Sequence, residues 1–205
     1  MYTLLMASQP NVFFTAEEYL DLEEKAEYKS EYMDGELFAM AGVSPEHDTI
    51  VFNLGGILYN QLKGTPCQAH TSDMRVAVSP ANAYTYPDVS ICCKDAQYLR
   101  RGTASLLNPV VIMEVLSPST EIYDRRKKFG KYKGIASLME YVLVSQDEVL
   151  VERYARQPNG DWLYSSLSSL DDSLTLTAVP ATLKLRDVYD RVFPPAEGAG
   201  SPAAS

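Results

Sequence analysis

Residues Val110-Val111-Ile112-Met113-Glu114-Val115-Leu116 form a near-continuous apolar run broken by one carboxylate. A run of this length and composition predicts a central strand covered on both faces. Side chains alternate along a strand, so Ile112, Glu114 and Leu116 fall on one buried face. A carboxylate left there without a partner either carries a desolvation cost of several kcal/mol or takes up a proton. Glu114 therefore calls for a cation beside it, a metal ion or a basic side chain.

The surrounding pattern is mixed. Thr15-Ala16-Glu17-Glu18 has the form of a capping box and opens a helix through about Ala26. Residues 31–38 read as a hairpin turning on Asp34-Gly35. Ser44-Pro45 supplies a cap and a first-turn proline for a helix that carries Ile50, Leu54, Ile57 and Leu58 on one face and stops near Gly64. Strands are predicted over 74–78 and 86–93, with 94–108 as a loop. After the 110–116 strand, Ser117-Pro118-Ser119-Thr120 turns into a helix over about 121–133. Strands at 139–145 and 148–155, a Pro158-Asn159-Gly160 turn, further short strands and a closing helix near 186–193 complete the order. Such alternation predicts an α/β domain with a mixed central sheet flanked by helices. One domain over 1–193 is expected, followed by a tail over 194–205 with the composition of a disordered end.

Two further features could answer Glu114. Pro87-Asp88 lies at the entry to another strand, 26 residues earlier. If the two strands pair, both carboxylates converge on one divalent cation, and Mg²⁺ (or Mn²⁺) suits a site with one or two carboxylates and several waters. The second is the run Arg125-Arg126-Lys127-Lys128, continued by Lys131 and Lys133, which holds six of the chain's 18 basic residues. Helical spacing puts Lys128, Lys131 and Tyr132 on one face, which could look back over the carboxylates and bind phosphate.

Composition limits the alternatives. Of the 205 residues, 46% are hydrophobic and 22% charged, an ordinary balance for a globular domain rather than a disordered or fibrous chain. The net charge of −9 argues against wholesale nucleic-acid coating, so any such contact must be local. No apolar run approaches the ~20 residues of a membrane span, and the N-terminus has no signal-peptide pattern, so a cytoplasmic protein without membrane contact is expected. The three cysteines (Cys67, Cys92, Cys93) form no zinc-like spacing and are expected as buried thiols in a reducing compartment. His47, at the start of the second helix, could hydrogen-bond a phosphate. His70 is expected to be structural, and Asp73 to cap a strand.

The ordered set Thr15-Ala16-Glu17-Glu18-Tyr19, Tyr28-Lys29-Ser30-Glu31-Tyr32-Met33-Asp34-Gly35-Glu36, Glu46-His47, Tyr86-Pro87-Asp88-Val89, Glu114-Val115-Leu116-Ser117-Pro118-Ser119-Thr120, Asp124 with Lys128 and Tyr132, and Glu140-Tyr141-Val142-Leu143-Val144 resembles the PD-(D/E)XK nuclease superfamily. Within it, the chain is most similar to the Uma2 family of restriction-endonuclease-like proteins, over about residues 12–193. The resemblance implies a restriction-endonuclease-like core and metal-dependent cleavage of nucleic acid, with DNA the expected substrate. Asp88 and Glu114 would hold Mg²⁺ with the main-chain carbonyl of Val115. Lys128 would be the phosphate-side cation, and Glu31 would join the acidic cluster. Arg125, Arg126, Lys127, Lys131 and His47 would contact nucleic acid. The superfamily's lysine normally lies two residues after the acidic one, where this chain has Leu116; Lys128 takes that role by position.

Two alternatives stay open. One is a nuclease fold without chemistry that binds a nucleic acid or a protein, which Leu116 and the acidic balance favour. The other is a structural protein whose Glu114 pairs with Lys128 or Arg125 to satisfy its core. Cutting two strands would favour a symmetric homodimer.

Overall fold

The computed structural model describes residues 13–40, 42–78, 82–100, 103–118 and 120–193; the tail expected over 194–205 lies outside them. Thr15 caps α1 (Ala16–Glu23), and both halves of the expected capping box form. Next comes a hairpin of β1 (Ser30–Met33) and β2 (Glu36–Ala39). Its turn residues Asp34 and Gly35 have φ of 52° and 98°, the left-handed pair that a two-residue hairpin needs. Helix α2 (Pro45–Leu62) is capped by Ser44, whose side chain accepts from the His47 N–H. β3 (Cys67–Thr71), β4 (Arg75–Val78), β5 (Ala83–Thr85), β6 (Val89–Cys93), β7 (Tyr98–Leu99), β8 (Ser105–Leu106) and β9 (Val111–Leu116) follow. A π-helical turn, Tyr123–Lys128, then runs into α3 (Phe129–Tyr132). β10 (Glu140–Ser145), β11 (Val151–Arg156), β12 (Trp162–Leu167), β13 (Ser173–Thr175), β14 (Thr182–Lys184) and α4 (Leu185–Val188) end the described chain.

The expected α/β class holds, built on two six-stranded mixed sheets where one central sheet was expected. The first has the order β2-β1-β5-β4-β8-β7 and the second β12-β11-β10-β9-β6-β3, while β13 and β14 form a separate hairpin. β9 lies within the second sheet, parallel to β10 and antiparallel to β6. All six of its residues are buried. On one face Val111, Met113 and Val115 pack with Ile50, Leu54 and Leu58 of α2, each of the helix residues fully buried and worth about 1.5–3 kcal/mol relative to exposure. On the other face Ile112 and Leu116 pack with Phe129, Tyr132 and Tyr141 and with Val76 and Val78 of the first sheet. Glu114 shares that second face, so its carboxylate points into the space between the sheets.

Several expectations are corrected. Residues 94–108 hold β7 and β8, two-residue strands too short to show a period, closed by Asn108, which accepts from Gln97 N–H and donates to Asp95 O. The helix over 121–133 divides into the π turn and one α turn, and the closing helix keeps only Leu185–Val188. The three reduced thiols become one disulfide, Cys67–Cys93, and one buried free thiol, Cys92. The antiparallel register of β3 and β6 sets Cys67 directly opposite Cys93, a pairing that depends on sheet assembly rather than spacing. Among the described residues no helix is long and apolar enough to cross a membrane.

Glu140, fully buried at the start of β10, fastens the segment after β13 to the sheet. Its Oε2 accepts from the Thr177 and Ala178 N–H groups at 2.9 and 3.0 Å, and Arg153 Nη1 lies 3.5 Å from its Oε1. Glu140→Ala would strand two backbone donors and a cation. It is expected to lower stability by about 3 kcal/mol, read from the urea midpoint.

Candidate functional site

The register of β6 against β9 pairs Val89 with Met113, so Asp88, one residue before the strand, comes level with Glu114. The Asp88 N–H reaches Glu114 Oε2 at 3.4 Å, and the Val115 N–H donates to Asp88 Oδ2 at 2.7 Å. The convergence expected from strand pairing is present: Glu114 holds the backbone of Asp88, and Asp88 holds that of Val115, the residue after Glu114.

The Lys128 ammonium stands at the centre of the cluster. Its Nζ lies 3.0 Å from Glu31 Oε1, 3.2 Å from Glu114 Oε1 and 3.3 Å from Asp124 Oδ1. Glu31 arrives from β1 and also accepts from the Tyr86 N–H at 2.9 Å. Tyr132 donates its hydroxyl to Glu114 Oε1 at 2.9 Å and lies 2.9 Å from Thr85 Oγ1. His47 Nε2 is 3.3 Å from Asp88 Oδ2, with the imidazole buried in the first turn of α2. Glu31, Asp88, Glu114, Asp124, Lys128 and His47 wall a cavity of about 700 Å³ whose lining also includes Val115, Gln146, Tyr123 and the apolar Phe38, Met40 and Val43.

Charge is concentrated here. Glu31, Asp88, Glu114 and Asp124 face one ammonium and one imidazole. Burial pushes the Glu114 carboxyl well above the usual carboxylate range; Lys128 opposes the shift, and Asp124, Asp88 and Glu31 add to it. Burial raises Asp124 in the same way, against the pull of Lys128. Burial disfavours a charged Lys128, but Glu114, Glu31 and Asp124 outweigh it and hold the ammonium well above its ordinary value. For His47 burial is likewise outweighed by Asp88, and its pKa is raised.

This arrangement fits a divalent cation. Carboxylates outnumber the local cations, and a hard oxygen donor set matches Mg²⁺ or Mn²⁺. Among the described residues no three His, Cys, Asp or Glu side chains are grouped as a ready cage. Mg²⁺ needs none, since one or two carboxylates suffice and waters complete its shell. Asp88 and Glu114, with Val115 beside them on the cavity wall, are the groups placed to hold it.

The basic run is divided by its partners. Lys128 points inward. Arg125 is locked to Glu121 and to the buried Glu152 of β11, at 2.7 and 2.5 Å. Lys131 Nζ lies 2.6 Å from Asp34 in the β1–β2 turn, so it does not share a free face with Lys128. Lys127 lies over the Phe38 ring, and Arg126 is exposed. Asp73 pairs with Lys29 outside the cluster, and His70 Nε2 lies 3.6 Å from Cys92 Sγ. Sequence reasoning put Tyr132 on the face of Lys128 and Asp124 in the same motif set, but gave neither a role in the site. Each is four residues from Lys128, a spacing that carried the signal.

A family model, Uma2, described as “Putative restriction endonuclease”, matches residues 16–187. The chain is similar to uncharacterised protein slr1290 of Synechocystis sp., 35% identical over 188 residues that cover 90% of this chain and 97% of that one. It is also similar to uncharacterised protein sll1609 of the same organism, 34% identical over 163 residues, 80% of this chain and 92% of the other. A crystal structure from Anabaena variabilis, described as “a putative nuclease belonging to DUF820”, shares the fold with a TM-score of 0.73 at 19% identity, covering 88% of this chain and 99% of that one.

The raised Glu114 pKa has a sign that can be tested. The folded chain keeps this proton to higher pH than the unfolded chain, so the stability it contributes is complete at low pH and is lost as pH rises through the folded value. Glu114→Gln is expected to flatten that dependence and to be more stable than the wild type near neutral pH without divalent ions. Added Mg²⁺ should raise the melting temperature of the wild type alone. Melting curves from about pH 5 to pH 8 check both; an unchanged pH slope in the variant would remove Glu114 as the source.

Proposed function

The chain belongs to the Uma2 family, and from that premise we propose that it is a divalent-metal-dependent endonuclease hydrolysing nucleic-acid phosphodiesters, with DNA as the substrate. The observation that carries this reading is the meeting of Asp88, Glu114 and Lys128 on the wall of one cavity, from three separate elements. Asp88 and Glu114, with the main-chain carbonyl of Val115, are the groups to hold Mg²⁺ or Mn²⁺. The chemistry such an ion would supply at these residues is polarisation of a phosphate and a lowered pKa for a bound water.

The remaining roles follow from contacts. Among the described residues Lys128 offers the one ammonium beside these carboxylates, and it would offset charge that builds on the phosphate. Leu116, at the position where the superfamily has its lysine, is buried in the core at 4% exposure. Lys128 reaches Glu114 from the π turn instead, which supports assigning it that role. Glu31 is an accessory: it holds Lys128 and the Tyr86 N–H together and so fixes where the ammonium stands. His47 steadies Asp88 through its Nε2. Arg126 and Lys127 face outward and are the residues of the basic run best placed for backbone phosphates; Arg125 and Lys131 would have to leave their carboxylates first.

One observation favours the second reading, a binding module that does not cut. Three carboxylates hold Lys128, and an ammonium so engaged is costly to redirect toward substrate. The structural reading, an ion pair that only satisfies the core, needs a single carboxylate. Four converge here beside an open cavity, which argues for a site.

Calorimetric titration of Mn²⁺ separates these readings without a known substrate. The wild type is expected to bind one ion, and Asp88→Asn to bind it at least about 100-fold more weakly. In a plasmid-nicking assay with Mg²⁺, Lys128→Met is expected to keep metal binding and lose about 100-fold in rate. Nucleic-acid binding without metal binding or nicking in the wild type would favour the module. Salt dependence tests the interface: Arg126→Ala with Lys127→Ala should lower the slope of log K against log salt by about 2, while Arg125→Ala leaves it unchanged.

A further inference from the structure

Helix α2 carries two consecutive glycines in its interior, Gly55 and Gly56, the eleventh and twelfth of its 18 residues. Glycine is the poorest helix former after proline, so a helix interior holds it for a reason. The chain's own packing gives none: a Cβ built on either glycine meets no atom within 4 Å. On the same outward face stand Phe52 and Tyr59, 79% and 67% exposed, seven residues apart. Two large exposed aromatics flanking a bare stretch of backbone make a surface shaped for close approach by another helix.

The face is also symmetric. Outward from the glycine pair, Phe52 and Tyr59 stand at equal steps, and beyond them Asp48 and Lys63, both exposed, stand at equal steps again. A two-fold interface must be complementary to itself, residue i meeting j while j meets i. Two antiparallel copies of α2 would set Gly55 on Gly56, Phe52 on Tyr59, and Asp48 on Lys63 at both ends. Among the described residues neither Asp48 nor Lys63 has an ion-pair partner in its own chain. A parallel pairing would oppose Asp48 to Asp48 and Lys63 to Lys63, so the charges select the antiparallel one. A groove of about 910 Å³ runs between this face and edge strand β3, lined by Phe52, Tyr59, Gln68 and His70 among others, with room for the partner's aromatic side chains.

We propose that a second copy of this chain docks antiparallel on the outer face of α2, with the two-fold axis passing between Gly55 and Gly56. The aromatic pairs form the buried centre of the contact and the Asp48–Lys63 pairs its charged rim, the usual division of an interface. His47, on the inner side of the helix's first turn, places the two candidate sites toward opposite ends of the helix pair, about 25 Å apart along the axis at 1.5 Å per residue. The inference rests on α2 alone and stands whether or not the site cuts nucleic acid.

Light scattering after size exclusion, at tens of micromolar protein, reads the outcome directly. The wild type is expected at twice its chain mass of 22.8 kDa. Gly55→Leu with Gly56→Leu is expected to weaken self-association at least about tenfold. Its melting temperature should be no lower than that of a monomeric Asp48→Lys control, since leucine favours the helix and its side chain meets open space in the monomer. Asp48→Lys should also weaken the dimer, and Asp48→Lys combined with Lys63→Asp should restore it. A monomeric wild type, a dimer that survives both leucines, or a double charge reversal that fails to restore association would overturn the proposal.

Discussion

The Lys128 ammonium joins three parts of the molecule at one point. Glu31 brings the hairpin of the first sheet, Glu114 the centre of the second, and Asp124 the π turn that carries Lys128 itself. A buried ion cluster is an inefficient way to hold two sheets together. Apolar side chains of equal volume commonly do as well or better, because they carry no desolvation cost. What the cluster provides is a set of oxygens and one cation at fixed places, next to a cavity that water and a ligand can enter. The surplus of negative charge that destabilises this arrangement in isolation is the property that makes it receptive to a divalent ion.

The parts of this centre that could be read from sequence are those whose cause is local. Glu114 was conspicuous because a carboxylate interrupted an apolar run, and its face followed from strand alternation. The Asp34-Gly35 turn, the capping box at Thr15 and the Ser44-Pro45 start of α2 are set by residues within four positions of one another, and each forms as expected. Lys128 was placed by its position in a motif, and the structure brings it within contact of Glu114 although 14 residues separate them.

What escaped the sequence depends on partners far away in the chain. Cys67 and Cys93 become a pair only when β3 and β6 adopt their register. The basic run reads as one patch along the chain. Glu152, Asp34 and Phe38, from three other elements, claim Arg125, Lys131 and Lys127 separately. The short strands β7 and β8 have too few residues for any period, and Asn108 closes them with hydrogen bonds that composition cannot specify. The split of the helix after Thr120 arises at a turn where Asp124 and Lys128 must both face inward, a tertiary demand on residues whose own propensities are helical.

This redistribution of charge changes what an anionic ligand would meet. An acidic chain with a net charge of −9 repels a polyanion at long range, and three of the six cations in its basic run, Arg125, Lys128 and Lys131, are already paired with internal carboxylates. Arg126, Lys127 and Lys133, the exposed cations left in the run, give a weak foothold, with little of the salt-dependent affinity that many phosphate contacts confer. The cavity mouth, with Phe38, Met40 and Val43, offers apolar surface instead. Attraction of such a ligand to this centre would therefore be short-range, supplied by Lys128 and by any divalent ion the carboxylates take up. The proposed second copy would add reach in the same way: two weak footholds on one rigid particle would raise the effective local concentration of each for the other without any new contact.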